Sequence, residues 1–450
     1  MDILALIPQF GGLIWTILAF VIALSVIVAV HEYGHYIVGR WTGIKADVFS
    51  LGFGPVIYAR NDKRGTRWQI AALPFGGYVK FAGDANAASG KDEDAMADVA
   101  ADPVRLRETM HGAPLWARSL TVAAGPAFNF VMSFAIFAAL AMTIGIAKDP
   151  LTVGELKPMP VMAYELAPGD TILQVEGEIL PDPEDRDAGR AFLEALPLTP
   201  TLEYRVLRDG VEQDIVGPHY SPALIGRVMP TSAADVAGLL KGDVITGIDG
   251  EPISTFQELK TTVEASDGRP LLLNVWRDGA LETFTFAAKV TDEQQADGSF
   301  QKVLRIGIGS SSPFEPALES RGIGASLMTG VAGVWAIITN SLSGLANMIT
   351  GVISTCNMSG PIGIAQVSGA VASQGPVAFI EFIAVLSTAV GLLNLFPIPA
   401  LDGGHLVFYA YEAVTGKPPS DKALRVLMSV GLALILSLMV FALGNDLFCP

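Results

Sequence analysis

Three residues near the amino terminus have the types and the spacing of a zinc-dependent hydrolase site. His31 and His35 stand four residues apart in the run His31-Glu-Tyr-Gly-His35, and Glu32 lies beside the first of them. On a helix this spacing puts both imidazoles on one face. Two neutral imidazoles can bind zinc while the carboxylate accepts a proton from the attacking water, which is the HExxH arrangement. The motif therefore predicts metal-assisted hydrolysis.

A catalytic zinc site needs a third protein ligand and an open position. His111 and His219 are possible, but the pattern of apolar stretches predicts a soluble loop for His111 and a place outside the membrane for His219. Asp402 is the better candidate, because it is expected at the end of an apolar stretch on the same side as the two histidines. The structural alternative is that Asp402 only caps a helix end.

The stretches that must position these residues are apolar enough to cross a membrane. Hydrophobic residues make up 51% of the chain and charged residues only 16%. Charge-free stretches at 3–30, 119–147, 382–401 and 426–445 each suffice for a spanning helix of about 20 residues. No basic residue precedes Arg40, so the first stretch is not expected to be a cleaved signal peptide. Ionisable residues directly after such a stretch are costly in lipid, which favours a functional site over a helix anchor.

The placement of Lys and Arg predicts the orientation. Eleven of them lie between Arg40 and Arg118, and three more lie in the connection before residue 426. The positive-inside rule puts both connections in the cytoplasm, and both termini and residues 149–321 outside. A fifth apolar stretch, 325–349, would carry Asp402 to the wrong side if it crossed. It is therefore predicted to lie along the outer surface as interfacial helices.

The outer section contains an internal repeat. The run at 166–178 matches the run at 239–251, and 205–210 matches 274–279, which indicates two copies of one α+β unit. The second copy resembles a bacterial PDZ domain, a module that binds an extended peptide as an added strand. The first copy resembles a degenerate one. Acidic residues far outnumber basic ones here, which argues against a nucleic-acid partner.

Taken together, the motifs resemble those of the site-2 protease family. Two motifs support the resemblance. One is HExxH on the first span, and the other is Asn-x-x-Pro-x-Pro-x-Leu-Asp-Gly, residues 394–403, on a later span. The two PDZ-like copies narrow the resemblance to the bacterial regulator of sigma-E protease subgroup. Supporting runs are Gly-Phe-Gly-Pro at 52–55, Phe-Gly-Gly-Tyr-Val at 75–79, Ala-Gly-Pro-Ala-Phe-Asn at 124–129 and Ser-Gly-Pro-Ile-Gly at 359–363.

The resemblance implies a role for each matching residue. His31, His35 and Asp402 would be zinc ligands, one zinc per chain, with Glu32 as general base. The segment 48–81 would be the membrane-associated β-hairpin region. The substrate-binding residues would be Asn394, Pro397, Pro399, Gly76 and Gly77.

The predicted fold is a polytopic α-helical membrane protein with four transmembrane helices, a cytoplasmic membrane-associated β-hairpin region and two periplasmic PDZ-like α+β domains. Its segments are the first transmembrane helix with HExxH (1–39), the β-hairpin region and loop (40–118), the second transmembrane helix (119–148), the degenerate PDZ-like domain (149–222), the PDZ domain (223–310), non-spanning periplasmic or interfacial helices (311–380), the third transmembrane helix with the Leu-Asp-Gly motif (381–405), a cytoplasmic loop (406–425), and the fourth transmembrane helix with the C-terminus (426–450).

The expected function is intramembrane zinc proteolysis of single-span proteins in the bacterial inner membrane, such as anti-sigma factor fragments. Peptide C-termini at the PDZ domain (223–310) are a further possible partner. A catalytically dead PDZ scaffold or chaperone is the alternative, and a metal transporter is a third class, although it would need more spans and no PDZ copies. Cys356 and Cys449 lack metal-type spacing, and two unrelated thiols are favoured over a disulfide.

Overall fold

Helices dominate one of the two units into which the chain divides. The computed structural model describes residues 7–85, 90–160, 164–182, 185–229, 232–294, 300–320 and 322–448. The helical unit contains residues up to Leu140, residues 323–349 and residues from 355 onward, and the β-rich unit contains the remainder. The helices of the helical unit are α1 (Ile7–Trp41), α2 (Glu93–Val99), α3 (Pro103–Arg107), α4 (Leu115–Ile144), α8 (Ile323–Ile349), α9 (Pro361–Ser373), α10 (Pro376–Asn394), α11 (Asp402–Thr415) and α12 (Asp421–Phe448).

Within the described residues, five helices are long and apolar enough to cross a membrane. They are Gly12–Trp41, Leu115–Ile144, Ile323–Ile349, Pro376–Asn394 and Lys422–Phe448. Four of them coincide with the stretches expected to span, and the fifth is α8. The chain is therefore a polytopic helical membrane protein.

The first helix extends further than its apolar run. It continues from Ile7 to Trp41, so His31 and His35 lie inside the helix, past the end of the apolar run at residue 30. Its one proline, Pro8, lies in the first turn, where no helix hydrogen bond is lost, and its glycines allow close packing. A Cβ on Gly34 would lie 2.5 Å from the carbonyl oxygen of Ala124 on α4, so only glycine permits this approach of the two helices.

The predicted third span is too long at its C-terminal end. Helix α10 stops at Asn394, seven residues before the expected end at 401, and Asp402 begins α11 instead of ending a span. The physical reason is local, because Pro397 and Pro399 cannot donate the backbone hydrogen bonds that a continuing helix needs. The break leaves a short irregular segment between two helices.

The segment predicted as short strands forms one antiparallel sheet. Strands β1 (Ala46–Asn61) and β2 (Arg67–Phe81) fold back so that Phe49 pairs with Val79 on one side and with Trp68 on the other. Residues 77–81 therefore form an edge next to α1. The inner face of the sheet is buried around Phe49 and Phe81, whereas Ile57 is 71% exposed.

Two sheets of the same topology make up most of the β-rich unit. The first has the order β6-β5-β7-β8 and the second the order β11-β10-β12-β13, as the sequence repeat predicts. Their strands are β5 (Thr171–Val175), β6 (Glu178–Ile179), β7 (Thr201–Arg208), β8 (Val211–Pro218), β10 (Val244–Ile248), β11 (Glu251–Pro252), β12 (Pro270–Arg277) and β13 (Ala280–Ala287), and their helices are α5 (Arg186–Ala195), α6 (Ala233–Ala237) and α7 (Phe256–Glu264).

The first copy of the repeat includes a strand that follows the second copy in the sequence. The remaining strands are β3 (Ile146–Ala147), β4 (Val153–Leu156), β9 (Ile225–Val228), β14 (Lys289–Gln294), β15 (Phe300–Arg305), β16 (Ile308–Ser310), β17 (Phe314–Pro316) and β18 (Leu318–Glu319). Strand β17 pairs with β4, and Phe314 is buried in the core of the first copy. A boundary at residue 222 leaves this strand out, because the second copy is inserted into the first.

The expectation of two unrelated thiols is wrong. Cys356 is disulfide-bonded, and no cysteine is free among the described residues. Cys449, the other cysteine of the chain, lies outside the described residues.

Candidate active site

The two histidines of α1 and the aspartate that begins α11 meet at one point. His31 Nε2 lies 3.2 Å from His35 Nε2. One carboxylate oxygen of Asp402 lies 3.1 Å from His31 Nε2, and the other lies 3.5 Å from His35 Nε2. The proline break after α10 allows the chain to turn, so that α11 starts with its aspartate beside α1. The structure thus brings together the three residues that the motifs name.

The geometry of these donor atoms fits a zinc ion. Zinc with tetrahedral bonds of 2.0–2.2 Å holds neighbouring ligand atoms about 3.3 Å apart. The three separations of 3.1–3.5 Å match the edges of such a tetrahedron. The Asp402 oxygen that lies 3.1 Å from His31 Nε2 is buried and has no other polar partner, as expected of a group whose partner is a cation. His31, His35 and Asp402 can therefore hold the metal and leave a fourth position open.

Helix α4 forms the back wall of the site. A Cβ on Gly125 would clash with His35 Nε2 and lie 2.8 Å from His31 Nε2, so only glycine leaves room for the ligand atoms. The carbonyl oxygen of Thr121, one turn earlier, lies 2.8 Å from His35 Nδ1. A carbonyl only accepts, so Nδ1 of His35 carries the proton and its Nε2 keeps the lone pair for a metal.

The side chain of Glu32, on α1, extends toward the edge of the sheet. Its carboxylate interacts with the backbone N–H of Val79, on the edge strand. A Cβ on Gly77 would lie 3.2 Å from Glu32 Cγ and 2.8 Å from the carbonyl oxygen of Ser50. Glycine at position 77 therefore allows the strand to pass directly over the carboxylate.

A cavity of about 250 Å³ opens at this point, and its lining includes Glu32, Gly77, Asn394, His405, Tyr409 and Met428. The expected substrate residues Asn394 and Gly77 thus lie at the cavity. Pro397, Pro399 and Gly76 are not among its lining residues. Pro399 packs against α12, where Gly431 leaves room for its carbonyl group.

The two histidines set aside as ligands lie elsewhere. His111 Nε2 lies 3.2 Å from a buried oxygen of Asp84, and burial raises the pKa of that carboxyl despite the histidine beside it. His219 belongs to the β-rich unit, where its Nδ1 accepts from the backbone N–H of Ser221. Burial lowers the pKa of His219. Neither residue joins the cluster of ligand atoms.

Sequence reasoning missed several residues at the site. Asn129 on α4 contacts His31, and Arg118 at the start of α4 pairs with Glu412 on α11 at 2.6 and 3.1 Å. The Arg118 guanidinium also lies 5.2 Å from the centre of the Tyr409 ring. In the sequence, the run at 124–129 carries only a family resemblance. An asparagine within an apolar span is the signal that indicates a role for Asn129.

The comparison with known proteins decides the family. The profile of peptidase family M50 matches residues 19–438. The chain belongs to peptidase family M50. It is 35% identical over 434 residues to a Rhizobium meliloti protein named as a zinc metalloprotease, across 96% of each chain. It is 32% identical to the regulator of sigma-E protease RseP of Salmonella typhimurium, across 97% of this chain and 99% of that one.

Membership of family M50 explains the geometry. The chain is an intramembrane zinc metalloprotease. The cluster of two imidazoles and one carboxylate is the group of described residues that could hold the zinc. Apolar helices surround it, as expected of a protease that works within a membrane.

Proposed function

We propose that this protease cleaves single-span membrane proteins within or near their transmembrane segments, with His31, His35 and Asp402 as zinc ligands and Glu32 as general base. The observation that carries the proposal is the convergence of the three ligand groups beside Glu32 and an open cavity. Their separations match a zinc tetrahedron, and the carboxylate next to them is free of any Lys or Arg partner among the described residues.

Each side chain has a chemical task in this scheme. Zinc, when bound, supplies a Lewis acid that polarises the scissile carbonyl and makes water more acidic. Glu32 takes the proton of the attacking water and returns it to the leaving amine. The edge strand packs beside this side chain of α1, and the carboxylate lines the cavity.

The edge strand at 77–81 supplies a way to present the substrate. A helix hides its carbonyls in internal hydrogen bonds, so a transmembrane substrate must unwind before hydrolysis. An unwound segment can pair with the free edge of a sheet as an added strand, and Gly77 and Val79 lie on that edge beside Glu32. Asn394, at the opposite wall of the cavity, would hydrogen-bond the substrate backbone.

The proposed topology has four spans, with α8 not crossing. Helix α1 and helix α10 pack together through Ala23, Ile27 and Ile383, and Asp402 follows α10 to reach His31. The two helices therefore run in the same direction through the membrane. Helices that run in the same direction must have an odd number of crossings between them. Helix α4 supplies one crossing between α1 and α10, so α8 supplies none.

Contacts at the ends of the helices support this topology. The Asp446 carboxylate, near the end of α12, accepts hydrogen bonds from the backbone N–H groups of Gly360 and Gly363 at 2.7 and 3.1 Å. Gly431 of the same helix packs against Pro399 near the site, fifteen residues and about 22 Å away. The segment after α8 is thus at the end of the unit away from the site. Labelling a cysteine at Ser341 only from the cytoplasm would refute this topology.

The protein would lie in the bacterial inner membrane. The positive-inside rule supports a site on the cytoplasmic side, with both termini and the β-rich unit in the periplasm. The relative RseP is named as a regulator of a sigma factor. By analogy, an anti-sigma factor fragment is a candidate substrate. The two PDZ-like copies would then bind the new C-terminus of a trimmed substrate or exclude bulky ones.

The decisive experiment compares the wild type with Glu32→Gln on a model single-span substrate in proteoliposomes. We expect Glu32→Gln to lose cleavage by about 10²–10⁴-fold while it keeps its zinc, measured by atomic emission. Normal turnover in this variant would refute the catalytic role. The alternative, a catalytically dead PDZ scaffold, predicts no cleavage by the wild type.

A further inference from the structure

Asn129 is a fully buried amide in an apolar helix and contacts a proposed zinc ligand. It lies on α4 with 0% exposure, and its Nδ2 is 3.2 Å from His31 Nδ1. Its Oδ1 has no hydrogen-bond partner among the described residues. A buried amide oxygen without a partner destabilises a fold, so this arrangement indicates a function beyond packing.

The proton on His31 decides whether this residue can bind a metal. Its Nε2 faces His35 and Asp402, so zinc would take the lone pair of Nε2. A neutral imidazole then carries its proton on Nδ1 and needs an acceptor there. An amide N–H that faces Nδ1 enforces the opposite tautomer, with the proton on Nε2 where the metal must bind.

Rotation of the amide by half a turn removes this conflict. The oxygen and nitrogen of an asparagine side chain have nearly the same shape, and their assignment follows from the hydrogen bonds. With Oδ1 toward His31, the amide accepts the Nδ1 proton and leaves the Nε2 lone pair free. Oδ1 then obtains the partner that Nδ2 gives up.

The two histidines differ in how α4 supports them. His35 Nδ1 faces the carbonyl oxygen of Thr121, which can only accept, so its tautomer is fixed by the backbone. His31 Nδ1 faces a side chain that can present either a donor or an acceptor. The affinity of the site for zinc therefore depends on residue 129 through His31 alone.

We propose that Asn129 is a positioning residue that accepts the Nδ1 proton of His31 through its Oδ1 and so holds the imidazole in the zinc-binding tautomer. The inference rests on the proposed role of His31 as a ligand. It concerns zinc affinity and the orientation of a ligand, and it assigns no contact between Asn129 and the substrate.

The test uses full-length protein in detergent and measures zinc affinity by competition with a chelator. Asn129→Leu keeps a similar volume and removes the acceptor, and we expect zinc binding to weaken by about 10–100-fold. Asn129→Asp keeps an acceptor in place, and we expect its affinity to equal or exceed that of the wild type. Cleavage by Asn129→Leu should recover when free zinc is raised, which a purely structural defect would not show.

Two reference variants complete the design. Ser133→Ala removes a buried hydroxyl one turn further along α4 that contacts the Asn129 and Ala384 carbonyls and not His31, so its zinc affinity should not change. His31→Ala tests the ligand assignment itself. If His31→Ala loses zinc while Asn129→Leu binds it as the wild type does, or if Asn129→Asp is as weak as Asn129→Leu, the inference is wrong and the ligand assignment stands. If His31→Ala also keeps its affinity, the proposed ligand set fails.

Discussion

Both units of the chain bury carboxylates, and they differ in what these carboxylates face. In the β-rich unit, Asp243 is 1% exposed and accepts two hydrogen bonds from Arg277, at 2.7 and 2.6 Å. In the first copy, Asp170 is paired in the same way with Arg208. In the helical unit, Asp402 faces two imidazoles, and no arginine or lysine among the described residues pairs with it.

The two kinds of buried carboxylate differ in whether they contribute to stability or to catalysis. A buried carboxylate with a bidentate arginine is complete, and its loss is felt as lost stability. A buried carboxylate beside two imidazoles still needs a cation, and in the proposed site zinc would supply the missing charge. Buried aspartates therefore stabilise the fold of the β-rich unit, whereas in the helical unit the buried Asp402 serves the proposed metal site. Matched substitutions in the two units can test this division.

The largest difference is expected between Asp402→Asn and Asp243→Asn. We expect Asp402→Asn to lower cleavage of a single-span substrate by about 1,000-fold or more, because the Lewis acid is lost with its ligand. Asp243→Asn should lower the midpoint of thermal unfolding of the β-rich unit by roughly 5 °C and leave the cleavage of folded protein unchanged. Cleavage assays and thermal scans of the full chain measure both effects. Similar rates of cleavage by the two variants would contradict the proposed difference between a catalytic Asp402 and a structural Asp243.

The second pair is Gly125→Ala and Gly189→Ala, the same change on α4 and α5. A Cβ at Gly125 would intrude on both ligand nitrogens, whereas a Cβ at Gly189 would meet no atom within 4 Å. We expect Gly125→Ala to weaken zinc binding by at least about tenfold. Gly189→Ala should bind zinc normally and be more stable by up to about 1 kcal/mol. Zinc binding by Gly125→Ala as tight as that of the wild type would contradict this prediction, because it would show that α4 can move away from the two histidines.

A smaller effect concerns pH and the β-rich unit. Burial raises the pKa of Asp170, but hydrogen bonds from Arg208 and the Ala167 N–H outweigh it and hold the pKa below its usual range. Stability from this group is thus present above about pH 4 and is lost as the pH falls through the folded pKa. Thermal midpoints measured from about pH 6 to pH 3 should fall in the wild type and change less in Arg208→Met.

The control for this prediction is an exposed ion pair in the same copy. Arg205 pairs with Asp214, and their side chains are 46% and 69% exposed. Solvent screens such pairs, so Arg205→Met should follow the pH profile of the wild type. A wild-type profile in Arg208→Met, or an altered one in Arg205→Met, would argue against burial as the cause.

The sequence predicted the parts of the site that local motifs encode. His31, Glu32 and His35 follow from a four-residue spacing, and Asp402 from a run with two prolines. The role of Asn129 could not be predicted, because it depends on which face of α4 meets α1. The close approach of Gly34 to Ala124 sets that face, and a single sequence does not contain it.

For the fold, the sequence predicted the repeated sheets but not the long-range strand pairing or the end of the third span. The repeat in the β-rich unit indicated two similar sheets, but the pairing of β17 with β4 joins residues about 160 positions apart and has no local signal. Pro397 and Pro399 mark the end of the third span in the sequence itself. The charge-free run continues through them to residue 401, and charge alone therefore predicts too long a helix.

Zinc content at one buffered concentration of free zinc tests the central claim most directly. The measurement compares the wild type, Glu32→Gln and Asp402→Asn as full-length proteins. The account predicts about one zinc per chain in the wild type and in Glu32→Gln, and almost none in Asp402→Asn, because a three-ligand site loses its metal with a ligand. Equal zinc in all three proteins would contradict a site shared between α1 and α11.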